Sequence, residues 1–424
     1  MSAFRASAVD VEKVKVLQRK LYCAAKAAPE RKFHSLYDKI YRKDVLVLAW
    51  TRVSRNGGSC GVDDKSIGQI RKEGVEKFLD DLHHELKEGR YDPVAIRRVY
   101  IPKPNGDTRP LGIPTVKDRV AQMAAKLVME PIFEADFMDC SYGFRPKRSA
   151  HQALKVVHQK SNIMKWVVDV DLKGYFDTIP HVDLMNRVKD RVYEKSLIHL
   201  VRRWLKANIF DEGKLSKPES GSPQGGVLSP LLSNIYLNEV DKAWHAADGF
   251  YTRYADDIVV QCYSKEQAEQ ALVKLTVMLT NLGLTLNKEK TCIRHVEEGF
   301  DFLGFTFKEA FNKVTKRKVR IKFPRSKSMK SIRLRIKEKV KSMPLGMDLR
   351  EVISHVNPIL RGWANYFKVG NSSQAADSLT SYACQQLRIF WRRRHQCKRI
   401  AGTKIWKNGF FYEKGLCFVP SLLS

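Results

Sequence analysis

The chain reads as an α+β protein in which helices pack on a sheet, with a separate basic helical module at its C-terminal end. Three observations predict this. Short β-branched runs alternate with long segments of helical periodicity. The texture switches from helical to strand-like near Val99. From Lys313 to Lys341 fourteen Lys or Arg stand against the single Glu338. At 424 residues and 43% hydrophobic content, the chain can bury a sizeable core and divide into two or three domains.

Taken in order, the first hundred residues predict helices. In KFHSLYDKIYRKDVLVLAWTRV, Phe33, Leu36, Tyr37, Ile40 and Tyr41 fall at helical spacing, and Val45, Leu48 and Ala49 continue the stripe. RNGGSCGVD, Arg55 to Asp63, breaks it with glycines. A further helix is expected over Val75 to Lys87. VYIPKPNGDTRPLGIP then reads as strand, turn, strand, with Asn105-Gly106 as the hairpin signal. KWVVDVDLKGYFDTIP predicts a strand that turns near Gly174, and RYADDIVVQCY predicts another. SPLLSNIYLNEVDKAWHAA and KEQAEQALVKLTVMLTNLG carry helical periodicity. In the C-terminal module Leu349, Val352, Ile353, Val356, Ile359, Leu360, Trp363 and Phe367 trace one helical face, with a kink expected at Pro358. SLTSYACQQLRIFWRRRHQ supplies another helix. The aromatics Trp363, Tyr366, Phe367 and Trp391 are assigned to core rather than to base stacking.

Charge narrows the function. The chain has 76 Lys and Arg against 46 Asp and Glu, a net +30, which exceeds what solubility needs and points to a polyanion, nucleic acid first. Eight cysteines without a C-x-x-C pair exclude a zinc ribbon or disulfide scaffold and fit a reducing compartment. No apolar run reaches membrane-span length, and the N-terminus lacks the apolar stretch of a secretory signal. A cytoplasmic protein without a membrane partner is expected.

The chemistry concentrates in RYADDIVVQ. Asp is depleted in strands, yet Asp256 and Asp257 precede the strong strand formers Ile258, Val259 and Val260. Either they sit at a solvated turn or they hold a cation. Asp171 ends the similar run WVVDVD. If the strands are neighbours, Asp171, Asp256 and Asp257 converge at one sheet end, where three carboxylates repel unless cations sit between them. Mg²⁺ is the natural hard-oxygen partner. Two such ions about 3.5–4 Å apart would activate an attacking oxygen and stabilise a leaving one. In so basic a chain the reaction should be phosphoryl transfer on nucleic acid or nucleotides.

YADD resembles the Y-x-D-D signature of reverse transcriptases. DVDLKGYFDTIP is similar to their other catalytic strand, an Asp followed five residues later by an aromatic; that spacing joins Asp171 to Phe176 and leaves Asp169 as a strand-face or salt-bridge residue. YIPKPNGDTRPLGIPTVKDRV, SYGFRPKRSAHQAL, GSPQGGVLSPLLSNIYLN, LGLTLNKEKT and FLGF resemble the family's remaining blocks, in its order. The resemblance implies catalysis by Asp171, Asp256 and Asp257 with two Mg²⁺ ions, Mn²⁺ being a substitute. It implies that Lys103 and Arg109 grip the triphosphate and that Phe176 packs under the sugar and rejects a 2′-hydroxyl. Gln224 would contact the nucleotide or base pair, Gly225 and Gly226 would let the backbone approach it, and Lys290 would join the nucleotide site. Arg145 and Arg148 would lie near template, with Asn287 and Gly304 also at nucleic acid.

The wording of these blocks looks like that of group II intron-encoded reverse transcriptases and maturases over roughly residues 31 to 400. That family implies a right-hand polymerase fold with an antiparallel sheet flanked by helices. The expected divisions are an N-terminal helical extension (1–54), fingers and palm (55–308), a thumb or maturase domain (309–400, with RGWANYFKVGNSS) and a short tail (401–424). The implied activity is copying RNA into cDNA from dNTPs on a DNA or RNA primer, together with binding the protein's own intron RNA to assist splicing and mobility. So short a tail, with Cys417 lacking a partner at ligand spacing, carries the expectation of no DNA endonuclease and of a primer made elsewhere. Two alternatives stand beside this reading: a domesticated relative in DNA repair or phage defence, and a splicing factor with a decayed polymerase. The intact acids, Lys103, Arg109 and Gln224 argue against decay.

Overall fold

The computed structural model describes residues 4–102, 108–312, 316–396 and 405–423. Eleven strands in those residues are β1 (Ile96–Pro102), β2 (Thr108–Ile113), β3 (Trp166–Val170), β4 (Ile209–Asp211), β5 (Lys214–Ser216), β6 (Phe250–Tyr254), β7 (Asp257–Cys262), β8 (Cys292–His295), β9 (Phe300–Phe302), β10 (Phe305–Asn312) and β11 (Arg317–Pro324). They form three sheets, ordered β2-β1-β4-β5, β6-β7-β3-β8 and β11-β10-β9.

The sheet β6-β7-β3-β8 is antiparallel throughout and carries the acidic motifs. Its two central strands are apolar on both faces because both faces are covered. Val168, Val170, Ile258 and Val260 join one core with the N-terminal helices and the long helix Val116–Glu134. Val167 and Val259 join a second core with helix Ala150–Lys160, Phe305, Phe307 and the C-terminal helices Leu349–Phe367 and Ser373–Arg394. The hairpin β1–β2 pairs as its pattern predicts, Tyr100 opposite Pro110. Its Asn105-Gly106 turn lies outside the described residues. Helix Val75–Lys87 forms over the expected residues.

Four expectations need correction. The stripe from Phe33 to Ala49 is interrupted: Phe33 pairs through its backbone with Arg191 and Tyr193, and Glu194 accepts from the Leu36 and Tyr37 amides, so a short helix Tyr37–Ile40 precedes Lys43–Asn56. Residues Arg317–Pro324 form a strand along β10, not a helix; Val319, Ile321 and Phe323 alternate with cations at period two, and the helix begins at Ser326. Two of the expected boundaries, after 54 and after 308, therefore cut a helix and a strand. The last residues, expected as a short tail, pack onto the helical module: Phe411, Leu416 and Val419 are buried in the second core, and Asn357 holds the Gly415 carbonyl and the Cys417 amide. Helix Leu349–Phe367 runs through Pro358, with Trp363 and Phe367 buried and Tyr366 and Trp391 half-buried. No described helix is long and apolar enough to cross a membrane.

Strand β6 contains a charge with no exposure to solvent. Arg253 Nε donates to Asp241 Oδ1 at 2.8 Å, and its Nη2 contacts Oδ2 of the same carboxylate. Nη1 donates to Asn234 Oδ1 (2.9 Å) and to the Ala255 carbonyl (3.0 Å). Opening this pair leaves a buried guanidinium uncompensated. Asp241→Ala should therefore lower stability by about 3–5 kcal/mol in chemical denaturation; a loss near that of an ordinary surface substitution would contradict this assignment.

Candidate active site

The DD motif does not lie within one strand. β6 and β7 are a hairpin whose last pair is Tyr254 with Asp257, so Ala255 and Asp256 form the two-residue turn. Ala255 takes φ 57°, a left-handed conformation seldom adopted without glycine. Two contacts impose it. The buried Arg253 binds the Ala255 carbonyl, and Gly143 presses on the turn so closely that a Cβ there would lie 2.3 Å from the Ala255 nitrogen. The SYGFRP segment is itself bonded to β6, Tyr142 N to Arg253 O at 2.9 Å and Arg253 N to Cys140 O at 2.9 Å.

Asp171 follows the last residue of β3. Since Val170 pairs with Ile258, continuing the register sets Asp171 beside Asp257 on one face of the sheet, which Asp169 shares. Asp256 stands at the same end. Asp257 reaches solvent but is pushed up to about 6 by burial, then by the charges of Asp256 and Asp171. Burial also raises Asp256. Asp169, half-buried on the strand, is raised to about 6 by burial with Arg294 opposing. Around Asp171, Lys290 Nζ lies 3.2 Å from Oδ2, and the Asn287 amide donates to the Asp171 carbonyl at 2.8 Å. The Asn287 side chain caps its own turn, accepting from the Glu289 amide, and so positions Lys290.

The cations near this end, Lys290 at Asp171, Arg294 toward Asp169, Arg109 toward Asp256 and Arg325 toward Asp257, do not offset the burial of the acids, so Asp169, Asp256 and Asp257 stay raised. The donor set is hard carboxylate oxygen, with Asp256 and Asp257 raised by burial and by neighbouring acids, which fits divalent cations. Lys290 neutralises Asp171 in its place. Among the described residues no three His, Cys, Asp or Glu side chains already stand around one point as a metal group.

Across the cleft, Arg109 on β2 donates from Nε to Gln224 Oε1 at 2.6 Å, and Gln224 Nε2 donates to Asp177 Oδ2 at 3.3 Å. Phe176, half-buried, lines the same cavity of about 400 Å³ with Asp177 and Gln224. Gly225 has φ 107°, and a Cβ on it would meet the Gly112 carbonyl at 2.2 Å. Its freedom thus admits strand β2, which is bonded to this loop by Gly112 N to Gln224 O at 2.6 Å. Lys103 lies outside the described residues.

Arg145 corrects the sequence reading. It is buried, and its guanidinium is committed to the Glu134 carboxylate and the carbonyls of Phe137, Met138 and Ser141, so it braces the fold and does not face template. Arg148 pairs with Asp139 over the Tyr142 ring. Gly304 turns β9 into β10 beside a basic hollow lined by Arg325, Lys327 and Arg335. Residues the sequence reading passed over are Arg253, Asp241, Asn234, Gly143 and Asp177. A signal existed for the first three: an Arg inside an apolar strand, and Asn234 and Asp241 seven residues apart on one helix face.

Residues 101–307 match the reverse transcriptase (RNA-dependent DNA polymerase) family, and residues 329–409 match the group II intron maturase-specific domain. Protein YkfC of Escherichia coli K12 is 37% identical over 332 residues, covering 68% of this chain and 86% of that protein. The group II intron-encoded protein LtrA of Lactococcus lactis subsp. cremoris is 39% identical over 213 residues. The chain belongs to the group II intron-encoded reverse transcriptases and maturases. Within this family it is an RNA-directed DNA polymerase associated with intron splicing and mobility, and the domesticated alternative is not favoured. The intron-type reverse transcriptase spans 35% of LtrA and 50% of an intron-encoded 91 kDa protein of Schizosaccharomyces pombe, with which it is 26% identical.

The raised carboxylates set a pH signature. Asp257 keeps its proton longer in the fold (about 6) than unfolded (3.8), so its contribution favours folding at low pH and is lost as pH rises from about 4 to about 6. Metal-free Asp257→Asn should flatten that part of the stability profile. At pH 7 it should melt as a protein about 1 kcal/mol more stable than the wild type, a figure reduced for solvent screening. Mg²⁺ should raise the wild-type melting temperature more than the variant's; equal responses would count against Asp257 as a ligand.

Proposed function

We propose that this reverse transcriptase extends a DNA or RNA primer along an RNA template with dNTPs, using Asp171, Asp256 and Asp257 to hold two Mg²⁺ ions, or Mn²⁺ in their place. What supports the reading is that the strand register sets Asp171 beside Asp257 at the sheet end that carries Asp256, that burial and then neighbouring acids raise Asp256 and Asp257, and that the Arg109 charge, paired with Gln224, acts on Asp256. Bound there, the ions would supply Lewis-acid activation of the primer 3′-oxygen and neutralise the departing pyrophosphate. The chain's own residues orient the reactants. Arg109, with its fork of donors, suits bidentate contact to phosphate oxygens, and Lys103 would add a point charge to the triphosphate grip. Lys290, paired with Asp171 at rest, is placed to exchange that carboxylate for the incoming phosphates. Phe176 forms the floor against which a ribose 2′-hydroxyl would clash.

The basic C-terminal module is proposed to hold the protein's own intron RNA by backbone contacts, which are salt-sensitive and independent of sequence. Arg148, Asn287 and Gly304 stay proposed as nucleic-acid neighbours, Asn287 by placing Lys290 and Gly304 by opening the basic hollow.

Two experiments test the reading. Asp256→Asn should abolish primer extension while leaving RNA binding within about twofold of wild type; retained extension would sink the two-metal assignment. Phe176→Val should admit ribonucleotides, measured as rNTP against dNTP incorporation, with discrimination falling by about a hundredfold. Unchanged discrimination would remove Phe176 from the sugar site.

A further inference from the structure

Gln224 stands between a group that can only donate and one that, ionised, can only accept. Arg109 Nε donates to its Oε1 at 2.6 Å, and its Nε2 donates to Asp177 Oδ2 at 3.3 Å. Guanidinium has no acceptor and carboxylate no donor, so the orientation of the amide follows from the chemistry of its two neighbours. Without the acid, nothing in this row distinguishes one amide face from the other except Arg109 itself, whose long side chain is exposed.

The Asp177 backbone is in turn firmly placed, while its side chain is exposed. Ser220 Oγ donates to its carbonyl at 3.0 Å, Ser222 N donates to the Phe176 carbonyl at 2.7 Å, and Gly221 N donates to the Ile179 carbonyl at 2.8 Å. A Cβ at Gly221 would lie 2.9 Å from the Asp177 Cα, so the two segments pack backbone to backbone. The loop that ends in Gln224 is therefore clamped to the segment carrying both Phe176 and Asp177. One backbone junction sets the sugar-facing ring, the acid and the amide together.

We propose that Asp177 is a positioning residue of the nucleotide site: it holds the Gln224 amide with its oxygen toward Arg109, and so holds Arg109 over the triphosphate. The inference rests on the polymerase reading above. Asp177 touches neither nucleotide nor primer in this role and acts through Gln224.

The test is steady-state primer extension at varied dNTP concentration. Asp177→Ala should raise KM for dNTP about tenfold, the loss of one charge-assisted hydrogen bond, with kcat changed by less than about threefold. Asp177→Asn, which keeps an acceptor oxygen in place, should recover most of the affinity. In a Gln224→Ala background Asp177→Ala should add almost nothing, because the acid then has no amide to orient. Additive effects, or an unchanged KM in Asp177→Ala, would overturn the role of Asp177. Should Asp177→Ala fail to fold, Gln224→Glu offers a second route. It opposes two carboxylates, and adding Asp177→Asn supplies a donor that should lower KM again by about threefold or more. No relief in that double variant would equally overturn the proposal. Absence of extension by the wild-type chain would overturn the polymerase reading and this inference with it, whereas wild-type extension with KM indifferent to Asp177 would overturn the inference alone.

Discussion

A fully buried ion pair sits beneath the Ala255–Asp256 turn. Arg253 and Asp241 have almost no access to water, and an isolated guanidinium there would be strongly unfavourable. Its remaining donors are spent on Asn234 and the carbonyl of Ala255, which ties the helix Ser229–Ala243 to the two-residue turn. Burial alone would depress the guanidinium's affinity for its proton, but the Asp241 carboxylate outweighs it and holds Arg253 above its ordinary value. The left-handed Ala255, the placement of Asp256 at the sheet end and the close approach of Gly143 all depend on that anchor.

The acidic end of the sheet is organised by the opposite condition. There the charges are not matched: Asp256 and Asp257 are raised by burial and by negative neighbours, while Lys290 serves Asp171. A satisfied pair makes a rigid support, and an unsatisfied cluster of acids makes a site with affinity for cations. Arg253 stands three residues before Asp256 in the β6–β7 hairpin, so the rigid part holds the turn without neutralising its acids.

The palm sheet also joins the polymerase to the maturase region. One of its faces packs into the core shared with the N-terminal helices, the other into the core shared with the C-terminal helices. The hairpin β10–β11 continues from the sheet's side into the basic helix Ser326–Lys341, and His151 and Tyr366 add polar contacts across the junction, His151 to the Tyr366 carbonyl and the Tyr366 hydroxyl to Leu303. The helical module is therefore built onto the catalytic sheet by shared side chains. The C-terminal residues complete its core through Phe411 and Val419.

Periodicity in the sequence was enough to locate β3, the fingers hairpin, helix Val75–Lys87 and the two central helices, because each carries its own hydrophobic pattern. Motif chemistry was enough to single out Asp171, Asp256, Asp257, Arg109 and Gln224, because carboxylates beside strand formers and an ordered set of blocks are local facts. Where local patterns compete, the sequence was silent or misleading. Phe33 leaves its helical stripe because a distant backbone at Arg191 and Tyr193 captures it. Arg145 bears a charge that reads as a template contact, yet four carbonyl and carboxylate partners enclose it. The sequence by itself determined which groups are candidates for the chemistry and where most elements run. Tertiary structure alone decided which cations are buried and which glycine meets which backbone, since burial and close approach arise between segments far apart in the chain.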